Sequence, residues 1–88
     1  MPQIELKVNN KLGLHARPAA KIVETTKKYA SEITISKNDV KINAKSIMGV
    51  MMLAAEKGSV LVVDAEGEDA RDALKDVALL FEQNFDEE

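Results

Sequence analysis

The sequence predicts an α+β fold of two layers, with helices packed on one side of a mostly antiparallel sheet. Two observations carry this expectation: strand segments with a single apolar face, and helices with a single apolar stripe, in the order βαββαβα. Ile4, Leu6 and Val8 alternate with polar neighbours, the pattern of a half-buried strand. From about Ala16 to Lys28, small or apolar residues at 16, 19, 20, 23 and 26 line one helical face. Ile33 and Ile35 alternate, Asn38-Asp39 supplies a turn, and Val40 and Ile42 alternate again, which together read as a hairpin. A short helix is expected to start at Ser46 and to stop before Gly58, a natural residue to follow a helix end. Val60 to Val63 is a continuous apolar run, as expected of a well-covered central strand. Asp69 opens the last helix, whose stripe is Ala70, Ala73, Leu74, Val77, Leu80 and Phe81.

Composition bounds what such a fold can do. The 88 residues predict one domain, 1–88, with a core of ordinary size. The apolar fraction of 45% and charged fraction of 31% are those of a globular protein in water. No apolar run reaches the ~20 residues of a membrane span, and no basic-then-apolar leader precedes the first strand. With no cysteine there is no disulfide or thiol chemistry, which fits a cytoplasmic location. With one histidine as well, a zinc site would need carboxylates for nearly every ligand, so no metal is expected. Charge is uneven. Residues 1–63 hold ten Lys and Arg against five Asp and Glu (net +5), whereas residues 64–88 hold two against ten (net −8). The basic part, with Arg17, Lys21, Lys27, Lys28 and Lys45, is suited to steering acidic partners. Nucleic acid is a weaker match, because three aromatic residues are too few for a base-stacking platform.

The segment Gly13-Leu14-His15-Ala16-Arg17-Pro18-Ala19-Ala20 carries the chemistry. Pro18 suits a first helical turn, where its missing N–H costs nothing, so His15 falls at or beside the N-cap. A helix N-terminus presents unpaired N–H groups and a partial positive charge, and Arg17 adds a fork of donors that matches a phosphate. The same positive end works against a second cation on the imidazole, which keeps the ring a nucleophile. Nucleophile and oxyanion cradle then form one element, and the reading is a histidine that carries a phosphoryl group. The plain alternative is a capping histidine with no chemistry.

The stretch GLHARPAA, followed about thirty residues on by Asn43-Ala44-Lys45-Ser46-Ile47-Met48-Gly49-Val50-Met51, resembles the HPr family. These are the histidine-containing phosphocarriers of the bacterial phosphoenolpyruvate-dependent sugar phosphotransferase system. The likeness covers essentially the whole chain. It implies an open-faced sandwich of a four-stranded antiparallel sheet, order 1-4-2-3, with three helices on one face. It implies that His15 accepts a phosphoryl group on Nδ1 from phosphorylated enzyme I and passes it to sugar-specific IIA domains. The backbone N–H groups of Ala16 and Arg17 and the Arg17 side chain would hold the phosphoryl oxygens. Ser46 matches a serine that a dedicated kinase (HPr kinase/phosphorylase) phosphorylates in some bacteria, with a catabolite-control transcription regulator as a further partner. Such a protein forms a covalent phosphohistidine but completes no reaction alone, needs no cofactor, and is expected to be a monomer. Two alternatives stay open: a paralogue in the nitrogen-related phosphotransferase branch, and a regulatory or RNA-binding βαββαβ module in which His15 is a structural cap.

The short second helix holds a further clue. Ile47, Val50, Leu53 and Ala54 make a face that can dock on the core, whereas Met48, Met51, Met52 and Ala55 make a second apolar face that a surface helix does not need. Methionine adapts to unlike partner shapes, so Ile47, Met48, Met51 and Met52, with Ala20, Lys27 and Lys45, are the expected partner-binding residues. Met52 stands where the family commonly has serine or threonine, Ala20 where some members have threonine, and Glu24 where some have lysine. These departures bear on partner preference and leave the phosphoryl chemistry intact.

Overall fold

A computed structural model describes residues 2–86. Its elements are β1 (Gln3–Lys7), α1 (Ala16–Thr26), β2 (Glu32–Lys37), β3 (Val40–Asn43), α2 (Ile47–Met52), β4 (Val60–Glu66) and α3 (Ala70–Glu82), followed by a 3-10 turn at Asn84–Asp86. The strands form one antiparallel sheet in the order β1-β4-β2-β3. Val63 at its centre lies between Ile4 of β1 and Ile35 of β2, and Ile35 in turn faces Ile42 of β3. Leu61, Val63, Ala65, Ile33 and Ile35 are buried on one face, where Ala19 and Ile22 of α1, Val50 of α2 and Ala73, Leu74, Val77 and Phe81 of α3 close the core. The other face is open, with Glu32, Val60 and Lys41 on it. This is the expected two-layer α+β sandwich.

Three local expectations are corrected. The buried stripe of α1 is Pro18, Ala19, Ile22 and Thr26, whereas Ala16 is exposed and Ala20 and Val23 are only partly covered. The helix is turned by about one residue step (~100°), because burying Ile22 removes far more apolar surface than burying Ala16 or Ala20. α2 stops at Met52 and never nears Gly58. Ala54 takes left-handed backbone (φ 51°), which ends the helical period, so Ala55 turns into the core and Ala54 out of it, opposite to the faces expected. The carbonyls exposed by this early stop accept from Lys37 Nζ, Leu53 O at 3.3 Å and Ala54 O at 3.1 Å. β4 runs on to Glu66 and alternates in burial along its first half, with Val60 exposed and Leu61 buried, because only one face of the sheet is covered.

Side chains fasten the layers at their ends. Asp69 precedes α3 but does not cap it. Its carboxylate accepts from the backbone N–H groups of Ala30 (2.8 Å) and Ser31 (3.0 Å) and from the Ser31 hydroxyl, which joins the turn after α1 to the start of α3 and holds this acid below the usual carboxylate range. Tyr29 donates its hydroxyl to Asp76 Oδ2 at 2.5 Å, with Lys28 Nζ 3.5 Å from the same oxygen. Ionising the phenol would break that bond, so Tyr29 is pushed up from 10.0 to about 12, and Asp76 is lowered for the same reason. The neutral phenol thus favours the folded state fully below about pH 10, and that contribution fades as the pH climbs toward 12. Since Tyr29 is the only tyrosine, phenolate absorbance reads it directly. The expected midpoint is near 12, falling toward 10 in Asp76→Asn; a midpoint near 10 in the unaltered protein would contradict the contact.

Candidate phosphoryl site

The segment Asn10–His15 is pinned before the helix begins. Asn10, only 2% exposed, donates from Nδ2 to Gly13 O at 2.7 Å, and Gly13 N donates back to Asn10 O at 3.2 Å. Leu14 is buried, and its N–H reaches Ala55 O, beyond the end of α2, at 2.9 Å. Gly13 lies directly against that carbonyl: a Cβ at this position would come within 2.3 Å of Ala55 O and 3.0 Å of Glu56 Cα, and its φ is +71°. Only glycine satisfies both conditions. Neither Asn10 nor Ala55 stands out in the sequence as part of the site. The one hint was that Asn10 precedes a glycine at turn spacing.

His15 is the N-cap of α1, in extended conformation (φ −80°, ψ −168°) and half-buried, and its side chain makes no capping bond. Its carbonyl accepts from Ala19 N at 3.0 Å, the first helical bond. Pro18 is buried at the third helical position and has no N–H. The amides of Ala16 and Arg17 are therefore the two donors that the helix leaves unused at its positive end, both on exposed residues beside the imidazole. Arg17 is exposed and forms no ion pair among the described residues. A helix end of this kind, with a histidine at its N-cap, is able to receive an oxyanion. Among the described residues, no three of His, Cys, Asp and Glu gather as metal ligands.

A family model described as PTS HPr component phosphorylation site matches residues 2–83. The chain belongs to the HPr family. The phosphocarrier protein HPr of Xylella fastidiosa (strain Temecula1) is 50% identical over 88 residues, covering 100% of this chain and 99% of that one. The crystal structure of HPr-C-His from Thermoanaerobacter tengcongensis superposes with a TM-score of 0.96 at 45% identity, covering 100% and 99% of the two chains. An HPr dimer from the same organism, also 45% identical, gives 0.80 over 99% and 100%. HPr proteins are phosphocarriers of the phosphotransferase system, and this chain is a phosphocarrier of that family.

The fold distributes the other candidate residues unevenly. α2 runs antiparallel to α1: its beginning is tied to the far end of α1, through Thr26 Oγ1 to Ala44 O (2.9 Å) and Lys45 Nζ to Tyr29 O (2.7 Å), and its exit is tied to the His15 segment. Ser46 is the N-cap of α2, its hydroxyl accepting from Gly49 N at 3.0 Å, and so lies at the end remote from His15. Met48, Met51 and Met52 are exposed along the outer side of α2, at 74%, 43% and 70%, and Ile47, expected on the face that docks on the core, is exposed with them at 42% because this first residue of the helix lies at the edge of the contact that Val50 buries. Ala20 stands one turn after Ala16 on the same side of α1. Lys27, just past the end of α1, is roughly 17 Å along the helix from His15 and is not brought beside it. Lys45, Lys21 and Lys28 spend their ammonium groups within the chain, Lys21 on Phe85 O at 2.8 Å, whereas Arg17 and Lys27 are exposed and make no such bond among the described residues. Leu12, in the segment before Gly13, is a further large apolar residue left exposed, at 72%. A lone leucine outside every stripe gave no sign of this in the sequence. No helix is long and apolar enough to cross a membrane among the described residues.

Gly13→Ala is expected to lower the melting temperature by 5 °C or more, since left-handed alanine costs ~1 kcal/mol before the clash with Ala55 is counted. An unchanged melting curve would show that the segment is not packed on Ala55.

Proposed function

We propose that this chain, read as one domain over 1–88, carries phosphoryl groups in the sugar branch of the phosphotransferase system. His15 accepts the group from phosphorylated enzyme I and gives it to sugar-specific IIA domains. The observation that carries the reading is the half-buried imidazole set beside the unused amides of Ala16 and Arg17 at a helix N-terminus. In the accepting step His15 Nδ1 attacks phosphorus, the new N–P bond forms as the donor's bond to phosphorus breaks, and the electron pair leaves with the donor. Charge on the phosphoryl oxygens is met by the two amides and by the Arg17 guanidinium, which stabilises the transfer most where that charge is greatest. The RNA-binding alternative finds little to use: Phe81 and Phe85 are buried and Tyr29 is committed to Asp76.

Incubation with enzyme I and phosphoenolpyruvate, read by intact mass, tests the reading. One phosphoryl group should be added, labile in acid and stable in alkali. His15→Ala should abolish the addition while costing at most about 1 kcal/mol of stability, the usual cost of losing a residue at a helix N-cap. Absence of an adduct with a competent enzyme I would refute the carrier role, and an unfolded His15→Ala would refute the site.

Ser46 is read as a regulatory site, modified by the HPr kinase/phosphorylase and thereby offered to a catabolite-control regulator. A phosphate there would lie on the positive end of α2, where negative charge does not destabilise, and beside exposed Ile47 and Met48, where it would disturb an apolar contact. Ser46→Asp is expected to hold or slightly raise the melting temperature while slowing phosphorylation of His15 by enzyme I. Normal transfer would place α2 outside the interface, and a collapsed melting temperature would make the effect structural.

A further inference from the structure

The outer side of α2 concentrates the oxidisable sulfur of the molecule. The chain has no cysteine and four methionines, and apart from Met1 all of them lie within five residues of α2. Met48 and Met52 are 74% and 70% exposed, and Met51 is 43% exposed. What fastens the helix is chemically inert toward oxidants: Val50 and Leu53 are buried, Ser46 caps the start, and Lys37 binds the last carbonyls. Oxidation on the outer side therefore leaves the packing of the helix untouched while changing the surface that a partner meets.

We propose that Met48, Met51 and Met52 form a reversible oxidation site through which hydroperoxides weaken docking of the phosphoryl donor. In each step the thioether sulfur attacks the distal oxygen of a hydroperoxide. An S–O bond forms, the O–O bond breaks, and after proton transfer the leaving oxygen departs as water or alcohol. The sulfur is oxidised by two electrons and the peroxide is reduced by two. The product sulfoxide is strongly polar, so placing it in a dry contact leaves an oxygen stripped of water without a matching donor. Methionine sulfoxide reductases return the thioether, which makes the change reversible. The docking consequence rests on the carrier reading given above, whereas the location and order of oxidation do not.

The experiment treats the full chain with hydrogen peroxide and follows intact mass, peptide mapping and melting temperature, then measures phosphorylation by enzyme I and phosphoenolpyruvate before and after. Met48 and Met52 should take up oxygen first and Met51 more slowly, with the melting temperature held within a few degrees. The KM for the oxidised carrier should rise roughly 5-fold or more, with the maximal rate little changed. Methionine sulfoxide reductase treatment should restore the original KM. A triple variant, M48L/M51L/M52L, should keep its own KM, whatever its value, through the same peroxide treatment. Oxidation that spares α2, or that unfolds the chain, overturns the site whatever the carrier does. An unchanged KM after full oxidation of α2, or an equal rise in the triple variant, overturns the proposal while leaving the carrier reading intact. An untreated chain that accepts no phosphoryl group overturns the carrier reading and the docking consequence with it.

Discussion

The bond from Leu14 N to Ala55 O is the contact on which the functional side of the molecule depends. It joins two segments that are forty residues apart in sequence and would otherwise be separate surface loops. One leads into α1 and places His15, and the other leads out of α2 behind the methionines. Glycine at 13 allows the two backbones to approach closely enough for the bond, and Asn10 locks the approach from the other side. The position of His15 relative to α2 is thus set by main chain, the least adaptable part of a protein, and not by side-chain packing that a substitution could shift.

At the opposite ends of the same two helices, the Thr26 hydroxyl and the Lys45 ammonium bond the backbone of the neighbouring segment. The pair is therefore held at both ends, with Val50 and Ile22 buried between layers. This geometry separates His15 from Ser46. His15 stands at the start of α1, and the Ser46 cap lies at the start of α2, toward the opposite end of the helix pair.

Much of the architecture was legible in the sequence because alternation and helical stripes are consequences of covering one face of each element. The hairpin at Asn38-Asp39, the stripe of α3 and the position of His15 before α1 all follow from residues within a few places of one another. What local pattern could not supply was anything decided by a distant partner. Ile22 outweighed the alanines in setting the rotation of α1, Ala54 broke α2 where no glycine or proline marks a break, and the Asp69 carboxylate bonds Ser31 and Ala30 instead of the helix that follows it. Lys45 and Lys21 read as surface charge, yet bond carbonyls far along the chain. Within the candidate site, the place of His15 at the start of α1 was written in one short motif, whereas the supports behind it, Asn10 and Ala55, became visible only in the fold.

The stop of α2 at Met52 has an electrostatic consequence for its neighbour. A helix that ends beside the His15 segment directs its terminal carbonyls, and so a local negative potential, toward the positive start of α1. Lys37, on the last position of β2, puts its ammonium on two of those carbonyls, Leu53 O and Ala54 O. The hairpin strand thereby places a positive charge on the carbonyl end of α2, which offsets part of the negative potential of that end beside the start of α1.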